Sequence, residues 1–547
     1  MSLRFRGPAL ACVLLLSGCA LHGRSVEMAR IDEGDLAAGR AGMAAFTFDD
    51  FGGLSGPALE TNALPWKVMA TALLMAEPAA GGVQPGRSDL PRIFRRYGFL
   101  LPDTVANWRG LDPPAFDRPI GMTHGMLTAF PGVRIEAANL GCASCHAGVL
   151  YDAAGLPTRN TWLGLPNTSL DLEAFSIGVY RSLLVAMRDR GRFAQRIQRT
   201  FPMSHPERLT LRWLLLPRVA KRLAALESTL RRPTPFLNGG PGRTNGTGAL
   251  KLQLGILDRA RVDSTIATIS VPNLAWRGMR SSFLVDGCYG LTGQVRFYER
   301  GTKDDTGPHR DSLAAITALF TMGVMGLTPE RASRNIPAMR GIMEFLESAG
   351  SPAFPGPVDD TLAAQGRELF ENRCSGCHGS YAEGPRPCRI VLYPNRRIRE
   401  DKVQTDSLRW TAIDSASIRA IGRTPFGGHI DVAQTGGYVP PILSGVWATA
   451  PYFHNGSVPT VWHVLHPDLR PERFEVGGHR LDFTKLGIAG EVDSNGVYRD
   501  PSGYVPWSQP EIYDTRKPGQ GRQGHEGFVR GLSDAQDRAL IEFLKCL

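Results

Sequence analysis

Apolar residues recur at three-to-four spacing in several stretches of this chain, the period of a helix that buries one face. Asp171–Arg190 and Pro206–Leu230 carry the pattern in the first half, followed by Asp311–Met325 and Thr328–Ser348. Thr328 stands where an N-cap belongs, with Pro329 at the first helical position. From Asp359, the segment DDTLAAQGRELFENR puts Leu362, Gly366, Leu369 and Phe370 on one side. The chain closes on LSDAQDRALIEFLKCL, where Ser533 and Gln536 predict a capping box and Leu540, Ile541, Phe543 and Leu544 an apolar face. Strand patterns are sparse and short, and no repeat at a fixed period is visible. The pattern predicts a mainly α protein with long loops and few short strands.

Punctuation divides the chain. Arg231–Gly248 is rich in Gly and Pro and predicts a loop, and Ser348–Pro357 reads as an interdomain linker. Residues 20–60 are small and Gly-rich and read as a tether. These breaks predict one unit over 61–349 and a second over 358–547, within the two or three domains that 547 residues allow.

The composition is that of an ordinary globular chain, 42% hydrophobic and 21% charged. No helix-turn-helix, zinc-finger or RNA-binding signature accompanies the formal charge of +10, so nucleic acid is not the expected partner. The N-terminus reads as an export signal: Arg4 and Arg6, an apolar run at 9–16 too short to span a bilayer, then Leu16-Ser17-Gly18-Cys19. That ending predicts a lipoprotein signal peptide over 1–19, with Cys19 lipidated. The alternative is cleavage near Ala20 and a free protein. Ala20 after the Cys points to an outer-membrane address facing the periplasm. A lipid anchor at Cys19 is the only membrane attachment expected.

Two strings carry the chemistry: CASCH at Cys142–His146 and CSGCH at Cys374–His378. Each is a C-x-x-C-H motif, in which two thiols form thioethers to a haem and the His binds its iron. Zinc would want a further pair of ligands nearby, and a redox dithiol needs no adjacent His. Two covalent c-type haems are therefore expected, on Cys142 and Cys145 and on Cys374 and Cys377, with His146 and His378 as axial ligands. Their propionates account for part of the Arg excess. An exported protein also permits one disulfide among Cys288, Cys388 and Cys546, but spacing cannot choose the pair.

The second iron's sixth ligand is constrained by what its unit lacks. All 14 Met lie at or before Met343, so residues 344–547 offer no His/Met pair. His429, His454, His463, His466, His479 and His525 remain. For the first iron, His124, Met122, Met126 and His309 are candidates, as is an open position.

Tyr438–Leu465, YVPPILSGVWATAPYFHNGSVPTVWHVL, resembles the signature stretch of the bacterial di-haem cytochrome c peroxidase superfamily. RPERFEVG at Arg470–Gly477 and GHEGF at Gly524–Phe528 resemble its rubber-oxygenase-like branch, as do YGFLLP, CASCHAGVL and the VPNLAW…VDG stretch of the first half. A helix running into Cys374–His378 and a last helix packing across it, with Gly366 letting the two approach closely, is the framework of the class I cytochrome c fold, and two such haem domains are expected. The resemblance maps the distal ligand of the second haem to His525, with His466 and His454 as alternatives. It places Trp276, Phe283 and Tyr289 near the distal pocket of the first haem. The function implied is an oxidoreductase whose first haem handles peroxide or O2 and whose second relays electrons to or from a partner protein or small oxidant. The alternatives are a non-catalytic electron-transfer lipoprotein with both irons six-coordinate, and a haem-bearing structural or sensing module. The shorter second half and the lipoprotein signal depart from the rubber oxygenases and argue against polyisoprene as substrate.

Overall fold

A computed structural model describes residues 38–48, 64–79, 81–108, 116, 118–122, 125–130, 133–229, 239–257, 267–304 and 307–547. Helices dominate, but the small sheets are more numerous than the sequence pattern predicts, so the fold is mixed helical rather than mainly α. The largest sheet has four strands and joins Arg473–Val476 to Glu511–Asp514 in antiparallel register, Phe474 opposite Tyr513. Such short strands evade a pattern search because two to four residues hold too little alternation to register.

The expected helices form with modest changes. Asp171 caps Leu172–Met187, its carboxylate accepting from Ala174 N at 2.7 Å. Thr328 caps Pro329–Arg334. A break at Asn335, ahead of Pro337, then starts a separate helix, Ile336–Ser348. Pro337 falls in that helix's first turn, where its missing N–H costs nothing. The reciprocal Ser533–Gln536 capping box opens Asp534–Lys545.

Two helix crossings organise the molecule. Asp360–Arg373 packs across Asp534–Lys545, and Gly366 makes the approach possible: a Cβ there would lie 1.9 Å from Ala539 O. Ala38–Phe48 packs across Ile336–Ser348 in the same manner, and a Cβ on Gly42 would lie 1.8 Å from Gly341 O. The span read as a tether therefore contains a packed helix. Its small residues are a close-approach surface, which composition alone does not separate from a flexible linker. The stretch read as a linker is also docked: Ser351 Oγ donates to Leu547 O at 2.8 Å, and Phe354 packs edge-on to Trp447 and Phe483.

A repeat is present after all, in the backbone. Residues 270–289 and 439–458 follow the same path with a constant offset of 169, the difference between 276 and 445. Trp276 and Gly445 are both left-handed and both cap a 3-10 turn. Leu284 and Phe453 have φ of +64° and +69°, and Gly287 and Gly456 +63° and +73°. The bridge Phe283–Tyr289 matches Tyr452–Val458. Only the Pro272/Pro441, Leu274/Leu443 and Gly287/Gly456 pairs are identical, which hid the repeat from the sequence. The two copies clasp each other: Ser270 N donates to His454 O at 2.8 Å, and Val439 N donates to Val285 O at 2.8 Å. Each copy is also tied to the end of its crossing helix, through Trp276 N to Ala349 O and Gly445 N to Leu547 O.

Gly366→Ala should lower stability by about 3 kcal/mol, because the added carbon strikes backbone rather than a side chain that can swing away. Gly422→Ala, where an added Cβ meets nothing within 4 Å, is the control. Equal melting temperatures for the two variants would show that the crossing is not tight.

Candidate haem site

The two C-x-x-C-H strings form short helical turns, Cys142–His146 and Ser375–His378. Their histidines are held alike. His146 Nδ1 lies 3.1 Å from Pro272 O, and His378 Nδ1 lies 2.8 Å from Pro441 O. A carbonyl only accepts, so Nδ1 carries the proton and Nε2 keeps its lone pair, the form that binds a metal. Desolvation keeps both imidazoles neutral: it pushes His146 down to about 4 and lowers His378 in the same sense. Pro272 and Pro441 are equivalent positions of the repeat.

The His378 ring faces a second imidazole, His525, with centroids 6.5 Å apart and planes 28° apart. One ion bonded to a nitrogen of each ring at about 2 Å would set the ring centres roughly 6 Å apart. His525 Nδ1 is buried without a hydrogen-bond partner. Desolvation first, then the nearness of the His378 imidazole and the Arg470 guanidinium, pushes His525 down to about 3. These two side chains fit the axial positions of a haem.

His525 is presented by a strained loop. Its own φ is +71°, and Gly524 at +122° has no room for a Cβ, which would meet Thr405 Cγ2 at 2.3 Å. Arg470 holds the loop: its Nη1 donates to Arg522 O at 2.7 Å and its Nη2 to Gly524 O at 2.9 Å. The Glu526 carboxylate accepts from Gly524 N at 2.9 Å and from Arg470 at 3.1 Å. Phe453 stacks on His525 at 5.2 Å, with the Arg470 guanidinium 5.0 Å from the Phe453 ring.

The alternatives point elsewhere. The His454 ring stacks on Tyr438 at 4.4 Å, its Nε2 3.3 Å from the Tyr438 hydroxyl. His466 has Nδ1 on Trp462 O at 2.8 Å and Nε2 3.3 Å from Asp537. Neither ring is paired with His378 among the described residues.

Near the first string, Phe283 and Tyr289 share a core with Ala143 and Ala147, with Cys142 and Leu284 packed against it. Trp276 packs instead with the core that meets Cys374. The structure thus separates Trp276 from the other two aromatics. His309 is engaged at both nitrogens, by Tyr298 at 2.7 Å and Arg280 O at 2.9 Å. Met122 is buried, His124 lies outside the described residues, and the side chain of Met126 is not described. Cys19 also lies outside them. Of the three remaining cysteines, Cys388 and Cys546 lie together, Cys388 N donating to Cys546 O at 2.7 Å, while Cys288 belongs to another core.

Arg277 supplies a further sign of a bound anion. It is 5% exposed, it lies 3.5 Å from the Phe283 ring centroid, and its Nη1 has no partner. Burial alone drives its pKa well down, and neighbouring Arg280 adds to that. Tyr393, close to Cys377, feels both cations. A buried cation without a carboxylate is costly, and a haem propionate is the chemical match. Pro272, Pro441 and Arg470 lie in stretches that carry the family resemblance, but nothing in the sequence assigned them or Arg277 a role: a carbonyl belongs to every residue, and nothing marks which Arg is buried.

Residues 437–475 match the family model described as RoxA-like, cytochrome c-like. The match relates this part of the chain to rubber-oxygenase-like cytochromes c and implies a haem redox protein with covalently bound c-type haem. Over 240 residues the chain is 31% identical to the uncharacterized protein y4iM of Sinorhizobium fredii (strain NBRC 101917 / NGR234), covering 37% of this chain and 52% of that protein. Uncharacterized protein y4iJ of the same organism is 26% identical over 250 residues, 35% of this chain and 40% of its own length. The chain thus spans about half, or less, of the curated relatives it matches.

Acid should destabilise the fold well above the carboxylate range. His309 and His479 are pushed down to about 4 and His463 to about 3, in each case first by desolvation. All three stay neutral when folded and gain protons on unfolding below about 6.5. Stability is full above that pH and falls as pH drops toward 4, by up to about 1.4 kcal/mol per group per pH unit. Melting temperatures that stay flat between pH 7 and 4 would contradict this.

Proposed function

We propose that this chain is an exported di-haem c-type cytochrome acting as an oxidoreductase. Its first haem, on Cys142 and Cys145, is the reactive centre for peroxide or O2. Its second, on Cys374 and Cys377, relays electrons. One observation carries the reading: His378 has an imidazole facing it across 6.5 Å, whereas no imidazole ring is paired with His146 among the described residues. The repeated helix crossing and the repeated proline carbonyl support two class I cytochrome c-like units rather than one.

When bound, the haems supply one-electron chemistry, and an iron with an exchangeable position also binds small oxidants. The chain's own residues divide the work. Pro272 and Pro441 fix the tautomer and ring orientation of His146 and His378. Arg470 and Glu526 hold the loop of His525, which would ligate the second haem opposite His378. Arg277 would offset propionate charge. Phe283 and Leu284, at the positions equivalent to Tyr452 and Phe453, keep the far side of the first site apolar.

Two haems should stay with the polypeptide through acid–acetone extraction, and the intact mass should exceed that of the apoprotein by two haems. Extractable pigment would refute covalent attachment. His525→Ala should make the second haem accessible to carbon monoxide and leave ligand binding at the first unchanged. An unaltered spectrum would remove His525 as ligand. If the wild type binds no external ligand in either redox state, the protein is an electron carrier.

Cys19 is proposed as a lipidated anchor facing the periplasm, on the strength of Leu16-Ser17-Gly18-Cys19. The Cys19→Ala variant should wash off membranes in high salt, whereas the wild type stays. Equal retention of both would dismiss the anchor.

A further inference from the structure

The positive charge of the chain is not spread over its surface. Residues 181–229 hold eleven Arg and Lys against three Asp and Glu, a net +8 of the chain's +10. The remaining residues are nearly neutral in sum. The basic stretch is helical: the end of Leu172–Met187, then Arg190–Thr200, then an unbroken helical rod from His205–Thr210 through Leu211–Leu215 to Leu216–Thr229.

Eight of the cations are exposed: Arg181, Arg188, Arg190, Arg192, Arg199, Arg208, Arg212 and Lys221. None of them forms an ion pair among the described residues. One of the few nearby acids, Glu207, is already taken by Lys67 at 2.7 Å.

Large apolar side chains stand among these cations. Trp213 is 70% exposed, Val185 57% and Leu209 48%. Leu209 and Trp213 are four residues apart on the rod, one helical step on a single face. Arg208 and Arg212 sit beside them in the same register, with the Arg212 guanidinium 5.3 Å from the Trp213 ring. Val185 is flanked by Arg181, four residues before it on the same helix, and by Arg188, three residues after it at that helix's C-cap. An exposed Trp–Leu face bordered by unpaired arginines matches a bilayer interface, where Trp sits at headgroup depth and cations meet lipid phosphates.

We propose that the Val185–Lys221 helices dock on an anionic phospholipid membrane, with Leu209 and Trp213 inserting at headgroup level. This surface stands independently of the haem reading and of the Cys19 anchor. It would lay the protein against the bilayer by a defined face, where a tether alone leaves orientation free.

The test uses the full haem-loaded chain carrying Cys19→Ala, so that no acyl chain contributes. It should co-sediment with vesicles of phosphatidylcholine and phosphatidylglycerol in equal parts, and not with pure phosphatidylcholine. High salt should release it, as screening demands. Replacing Arg208, Arg212 and Lys221 with Gln should weaken binding about a hundredfold. Removing the same charge at Arg159, Arg399 and Arg516 should change it little. Trp213→Ala should weaken binding and leave its salt dependence intact, and the haem spectrum reports that each variant is folded. Equal binding to neutral vesicles, or equal losses from both triple variants, overturns the proposal. So does indifference to vesicles with retention on polyglutamate, which would make this face a dock for an acidic protein.

Discussion

The structure hangs on one repeated hydrogen bond, from a histidine Nδ1 to a proline carbonyl. An imidazole has two interchangeable nitrogens, and only a fixed tautomer presents a lone pair in a fixed direction. His146 obtains this from Pro272, and His378 from Pro441. Holding the carbonyl still takes the rest of the unit. The left-handed turn that follows each proline is tied by its amide to the end of a crossing helix, and each crossing is close because a glycine lies at its centre. The carbonyl, the turn and the helix pair form one rigid frame around each C-x-x-C-H string.

The two frames are not independent. Ser270, two residues before one proline, bonds to His454, and Val439, two residues before the other, bonds to Val285. Each strand that steadies one histidine thus grips the loop on the far side of the other site. The two frames are joined by main-chain hydrogen bonds in both directions.

What could be read from the sequence was local. The C-x-x-C-H strings and the Thr328 and Ser533 caps each lie within a few residues, where spacing carries the information. Residues 20–60 misled because glycine and alanine mark both a loose tether and a tightly packed helix, and only the partner helix tells which. The 169-residue repeat was hidden because φ is conserved between the copies while side chains are not. Trp276 and Gly445 share a left-handed turn that their identities do not suggest. Charge was legible only as a total: nothing in the sequence marks Arg277 as a cation buried with its Nη1 unpartnered. Most of the excess, however, lies on the exposed faces of the 181–229 helices.

The difference between the two sites follows from what comes after the repeated turn. In the first copy the chain leaves Tyr289 for Gly307–Met325, a helix that packs into the core. In the second it leaves Val458, builds a four-stranded sheet around Arg473–Val476, and returns through Gly524 to deliver His525. Arg470, just before that sheet, reaches across to the returning loop and bonds its carbonyls, so the sheet and the ligand loop are set together. The two copies begin with the same frame, and a single long insertion supplies one of them with an opposing imidazole. On the proposed reading, that insertion separates a site closed for electron relay from one left open to a small oxidant.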